Sequence, residues 1–118
     1  VVTAASEPAV DVDLHGPEVS VVIPVYRNAG TLPELYDRLQ TALATKVVSF
    51  ELLFVNDGCP EGSLAVLEGL ARSDRRVSVV SQPGNTGQQR AVLAGLRLAR
   101  GRQVVVMDAD LQDPPEAI

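Results

Sequence analysis

Tryptophan is absent from this chain, and tyrosine and phenylalanine occur twice each, so 118 residues carry few aromatic rings. The ten Lys and Arg residues are scattered, with no basic run. A nucleic-acid surface needs clustered cations and rings to stack on bases, so that partner is disfavoured. Cys59 is the single cysteine. It excludes an intrachain disulfide and fits a reducing compartment. No Cys/His cluster for zinc can form from one cysteine and the lone His15. No apolar run approaches the ~20 residues of a membrane-spanning helix. No basic stretch followed by an apolar core marks a signal peptide. Three nucleotide and hydrolase signatures are also missing: G-x-G-x-x-G after the first strand, the P-loop, and G-x-S-x-G.

What remains is an ordinary globular composition, 46% hydrophobic and 21% charged, at a length that suits one small domain. Net charge is −5. An anionic ligand would therefore need local cations or a metal ion. Residues 1–18 show no sustained period and read as a flexible leader. Residues 19–118 form the domain. The chain stops at Ile118, directly after a Pro-Pro-Glu helix start, which reads as a truncation.

Apolar, β-branched runs predict strands at 19–25, 50–55, 77–80 and 104–107. Helical spacing predicts helices at about 32–44, 60–72 and 88–100 between them. Thr31 and Glu34 read as a capping box, Pro60 suits a first turn, and Gly101 reads as a helix stop. The third helix is apolar nearly all round and is expected to be well buried. Strand and helix alternate, which predicts a parallel, Rossmann-like α/β sheet with flanking helices and right-handed crossovers. The usual order 3-2-1-4 makes the first and fourth predicted strands neighbours at a switch point, outside whose carboxyl ends ligands bind. Pro24, Tyr26, Asp57, Asp108 and Asp110 should then share one rim. A sheet ending at its fourth strand would leave an open edge, through which the chain could self-associate.

The fourth predicted strand ends in Asp108 and Asp110. Residues two apart lie on one side of a strand, so both carboxylates could hold Mg²⁺ or Mn²⁺ bridging a diphosphate and offset charge on a leaving group. They are the candidate catalytic residues. The plainer reading is a solvated strand end. Asp57 could accept from a base N–H, or simply serve its Asn-Asp-Gly turn. Tyr26 could stack on a base. Residues 85–87 precede a helix, so their N–H groups could meet an anion or merely form its cap.

Four stretches together resemble the inverting family 2 glycosyltransferases of GT-A fold. They are residues 21–26 (Val-Val-Ile-Pro-Val-Tyr), 55–58 (Val-Asn-Asp-Gly), 85–87 with Ala91 and Gly95, and 108–116 (Asp-Ala-Asp-Leu-Gln-Asp-Pro-Pro-Glu). The branch most resembled transfers a hexose to a polyprenyl (dolichyl) phosphate. The resemblance implies that Pro24, Tyr26, Val55 and Asp57 contact the donor nucleotide of a UDP- or GDP-hexose. It implies that Asp108 and Ala109 line the nucleotide and sugar-phosphate site, and that Asp110 and Gln112 ligate the metal. It shifts weight from Asp113, otherwise a third acidic candidate, to the turn that follows. Asn28 stands where the family often has an acid, and can still hydrogen-bond a base or ribose. Asn56, Cys59 and Thr86 also depart from common family residues.

The resemblance implies that 19–118 is the donor-nucleotide-binding half of such an enzyme, with little turnover by itself, working at the cytoplasmic face of a membrane. Two other readings stand beside it: a family 2 transferase with a glycan or protein acceptor, and a non-catalytic nucleotide-sugar binding module.

Overall fold

The computed structural model describes residues 2–5, 16–47, 49–58, 62–82, 87–112 and 114–118. Its elements in order are β1 (Val2–Ala5), β2 (Val19–Val25), α1 (Leu32–Lys46), β3 (Phe50–Asp57), α2 (Ser63–Ser73), β4 (Val77–Gln82), α3 (Gln88–Leu98) and β5 (Gln103–Val106). A 3-10 turn at Pro115–Ala117 follows, where the sequence suggested the start of a helix.

One sheet runs in the order β1-β5-β2-β3-β4. β2 pairs in parallel with β3 and β5, and β3 with β4, which is the expected 3-2-1-4 arrangement. The difference lies at its edge. β1 pairs antiparallel with β5, Val2 opposite Val106, so the strand that was to be left open is covered. Part of the expected leader is therefore a strand, and residues 6–15 lie outside the described ones. A four-residue strand is too short to declare itself by alternation.

Strand alternation sorts the core into two layers. Val21, Ile23, Leu52, Phe54 and Val105 face α1 and α2, with Leu35, Leu39, Leu43 and Leu67. Val22, Leu53, Val55 and Val104 face α3. Among the described elements α3 alone lies on that second face, against β2 and β3. Only Ala91 and Gly95 of α3 are buried, and Leu93 stays 51% exposed, so the expected all-round burial is corrected. A helix with no further described element behind it leaves its back exposed. It sits close to the sheet because Gly95 has no side chain: a Cβ there would run into Val22 Cγ1.

Two local readings also change. Thr31 is the N-cap of α1 but makes no side-chain cap bond. Its hydroxyl instead lies against the carbonyls of Asn28 at 3.0 Å and Ala109 at 2.6 Å. Gly101 is not a left-handed helix stop, because α3 ends at Leu98 with Ala99 extended. Gly101 is glycine because an added Cβ would fall 2.5 Å from the Ser20 backbone nitrogen. α2 starts at Ser63, after Gly62 at φ 79°; Pro60 lies outside the described residues.

Candidate functional site

The site forms where β5 leaves the sheet. The β2–β5 ladder ends at Val22 opposite Val106, and a last bond runs from Met107 N–H to the Val22 carbonyl. The β2–β3 ladder continues to Val25 opposite Asn56. A crevice opens between β2 and the departing chain. Backbone groups in a parallel strand alternate sides, so Pro24 faces β5 as Val22 does. Its missing N–H falls beyond the end of that ladder, where it costs no sheet bond.

A cleft of about 420 Å³ occupies this crevice, lined by Pro24, Val25, Tyr26, Asn28, Asp57, Gly87, Gln88, Asp108, Ala109 and Asp110. Four stretches remote in sequence thus meet on one rim, three of them those that the strand order required. Two of the residues singled out do not line it. Val55 is fully buried beneath α3, beside Ala91 and Val22, so its side chain is core and does not face the cleft. Gln112 is exposed just outside, and its N–H donates to Asp110 Oδ1 at 3.1 Å. Asp113, Asn85 and Thr86 lie outside the described residues.

The cleft walls are held in specific ways. Tyr26 is 36% exposed, and its N–H donates to Asn28 Oδ1 at 3.0 Å. The Arg27 guanidinium sits 5.3 Å from the Tyr26 ring centre, a cation–π contact. Asp57 is buried at 3% exposure, and its Oδ2 accepts the Gly87 N–H at 3.0 Å. That N–H, a candidate for an external anion, is thus engaged by the chain's own carboxylate. Gln88 Nε2 donates to Asp108 Oδ1 at 2.7 Å. Two non-glycine residues with positive φ flank the cleft, Arg27 at 59° and Leu111 at 65°. Left-handed leucine is strained by roughly 1 kcal/mol or more, and such strain collects at binding sites. Here it turns the chain sharply after Asp110.

Gln88 and the hydroxyl of Thr31 are the contributors that the sequence reading missed. The one signal for Gln88 is its place as the first residue of a helix at the switch point.

The donor set suits a hard divalent cation in one respect. Asp108 and Asp110 are both exposed on the same cleft, and neither is ion-paired among the described residues. No group of three or more His, Cys, Asp or Glu side chains converges among the described residues. A cation here would therefore draw further oxygens from water or a bound diphosphate, which is the usual habit of Mg²⁺. The chemistry of the donors fits.

Comparisons with known proteins bear on the fold and the family. The family model described as glycosyl transferase family 2 matches residues 20–118. An uncharacterized glycosyltransferase of Bacillus subtilis (strain 168), YkcC, is 42% identical over 101 residues, covering 86% of this chain and 31% of the relative. The undecaprenyl-phosphate 4-deoxy-4-formamido-L-arabinose transferase of Pseudomonas paraeruginosa (strain DSM 24068 / PA7) is 44% identical over 101 residues, 85% of this chain and 30% of that protein. The chain thus spans about a third of the length of the curated relatives it matches. Among solved structures, mannosyltransferase PcManGT from Pyrobaculum calidifontis, in complex with GDP-Man and Mn²⁺, superposes with TM-score 0.70 at 23% identity. That match covers 84% of this chain and 33% of the other, a likeness of fold.

Proposed function

The chain belongs to glycosyl transferase family 2, and from that premise we propose that it is the donor-binding half of an enzyme moving a hexose from a UDP- or GDP-hexose to a polyprenyl phosphate, with inversion. The observation that carries the reading is the cleft itself. It joins an exposed ring, Tyr26, a buried carboxylate, Asp57, and two carboxylates without cationic partners among the described residues, Asp108 and Asp110, at the carboxyl edge of a parallel sheet. The lipid-phosphate acceptor is supported by the relatives named for transfer on undecaprenyl phosphate, 44% identical over the matched segment.

The roles follow from chemistry. Asp57 accepts from a base N–H, Tyr26 stacks on the ring of the base, and Pro24 and Asn28 complete that wall. Ala109 is too small to block the sugar-phosphate. Asp108, Asp110 and Gln112 are the groups that would hold Mg²⁺ or Mn²⁺, which when bound offsets the charge of the departing nucleoside diphosphate. The acceptor is already an anion, so no strong general base is needed at the cleft. A phosphate oxygen attacks the anomeric carbon from the face opposite the diphosphate. The new C–O bond forms as the old one breaks, and the nucleoside diphosphate leaves with the electron pair. The chain's own contribution is mainly positioning. A lipid acceptor places the work at the cytoplasmic face of a membrane. No described helix is long and apolar enough to cross one.

Calorimetry with UDP-glucose and GDP-mannose, each with Mn²⁺, tests the donor side, and radiolabel transfer to undecaprenyl or dolichyl phosphate tests the acceptor. Binding of one donor and labelled lipid are expected. Donor binding with label appearing only in a water-soluble glycan would overturn the acceptor. No donor binding by the intact protein would overturn the whole reading.

A further inference from the structure

The turn that carries Asp108 and Asp110 has little of its own to hold it. The β5 ladder has ended, and within the turn the only side-chain bond among the described residues is from Gln112 N–H to Asp110. Among the described residues, two side-chain bonds reach it from outside. Gln88, first residue of α3, donates its amide to Asp108 Oδ1 at 2.7 Å. Thr31, the cap of α1, has its hydroxyl 2.6 Å from the Ala109 carbonyl and 3.0 Å from that of Asn28. A hydroxyl has one proton to give, and the shorter contact takes it. We infer that Gln88 and Thr31 are positioning residues that fix the Asp108–Asp110 turn from two different helices.

The helices' own needs do not account for these bonds. Thr31 is a capping residue by type, yet it makes no side-chain cap bond within α1. Gln88 reaches across to a strand end 20 residues away rather than along its own helix. Their chemistry suits a site that must keep its charge. Both donors are neutral, so they orient the turn without cancelling the carboxylates, as an arginine would. An exposed aspartate otherwise samples several rotamers, and fixing one before a ligand arrives removes that entropy cost from binding. Gln88 leaves the second oxygen of Asp108 for a ligand. Thr31 satisfies the carbonyl of Ala109, a residue only 2% exposed. The start of α3 also joins both ends of the cleft, because Gly87 N–H holds Asp57.

The inference rests on the metal-assisted donor reading for its readout. The experiment is nucleoside-diphosphate binding by calorimetry, with and without Mn²⁺, beside the electron paramagnetic resonance of bound Mn²⁺. It compares the intact wild-type protein with Gln88→Leu, Thr31→Val and Thr31→Ser. Gln88→Leu and Thr31→Val should cut the Mn²⁺-dependent gain, the ratio of nucleotide affinity with metal to affinity without it, roughly 10- to 100-fold, as loss of outer-shell partners does. Thr31→Ser should restore it, and the Mn²⁺ line shape should change only in the first two. An unchanged metal-dependent gain in both overturns the inference. So does an equal fall with and without metal, which would mark a purely structural role. A wild type that binds nucleotide with no gain from Mn²⁺ overturns the metal-assisted reading, and this inference with it.

Discussion

The two ends of the sheet treat their carboxylates differently. At the amino end, Glu51 is 7% exposed and accepts from the Ser20 hydroxyl at 2.5 Å and the Arg100 N–H at 2.8 Å, with the Arg100 guanidinium 3.7 Å away. Asp74, in the link leading to β4, takes both arms of Arg76 at 2.9 and 2.8 Å and the Tyr36 hydroxyl at 2.7 Å. At the carboxyl end, Asp108 meets one neutral amide and Asp110 one backbone N–H. The first end neutralises its buried charge with the chain's own groups. The second holds Asp108 and Asp110 in place with no cationic partner among the described residues. Uncompensated charge is tolerable only where water or a ligand reaches it. One end therefore serves stability, and the other is where the proposed metal-bound donor would sit.

Substitutions at the two ends should then separate stability from activity. The largest effect is expected at the carboxyl end. Asp110→Ala should lower transfer about 1,000-fold, some 4 kcal/mol of transition-state stabilisation. The melting temperature should hardly move, because Asp110 is exposed. A melting point that falls in step with activity would erase the distinction. Next comes Gly101→Ala at the amino end. Its new Cβ would lie 2.5 Å from the Ser20 nitrogen and 2.6 Å from the Ser20 hydroxyl. Overpacking against backbone should cost about 3 kcal/mol in urea unfolding. Donor affinity of the folded fraction should be unchanged.

Asp74→Asn is expected to cost about 2 kcal/mol, the worth of hydrogen bonds to a charged group. It also carries a pH signature. The Arg76 side chain, first among its partners, holds the Asp74 carboxyl well below the usual carboxylate range. A depressed folded-state pKa adds stability above the unfolded value of about 4, and that stability is lost as pH falls through the folded value. Wild type should thus lose stability below about pH 4 more steeply than Asp74→Asn, by chemical denaturation at each pH. Parallel curves would mean that Asp74 is not the group responsible.

Much of the fold was legible because alternation leaves few choices. Val21, Ile23 and Val25 on one face and Val22 on the other are what a strand buried on both faces requires. The helical links then dictate a parallel order, and the order dictates the rim. The site was legible as far as single stretches carry it, in Tyr26, Asp57, Asp108 and Asp110. It was not legible where a role depends on distance through space. Thr31 looks like an ordinary cap until Ala109, 78 residues on, arrives beside it. Val55 stands two residues before Asp57 on the same face of β3, but one step deeper, where α3 covers it. Motif adjacency is therefore a poor guide to which of the two reaches the cleft. The apolar run of α3 misled for a related reason: the pattern shows what a helix could bury, and the number of layers decides what it does bury.

The smallest expected effect tests the binding end without touching charge. Tyr26 follows the last residue of β2, is 36% exposed, and has Arg27 rather than core against its ring. Its backbone N–H, not its side chain, makes the bond to Asn28. Tyr26→Ala should therefore leave the loop bond and the melting temperature intact. If the ring stacks on a base, its loss should weaken nucleotide binding about tenfold, near 1.4 kcal/mol, the lower end of base–aromatic stacking. Tyr26→Phe should bind as wild type does, since stacking needs the ring and not the hydroxyl. The loss should be equal with and without Mn²⁺, which sets it apart from Asp110→Ala, whose loss should vanish when metal is withheld. A Tyr26→Ala defect seen only with Mn²⁺ would place the base elsewhere and join Tyr26 to the acidic turn instead.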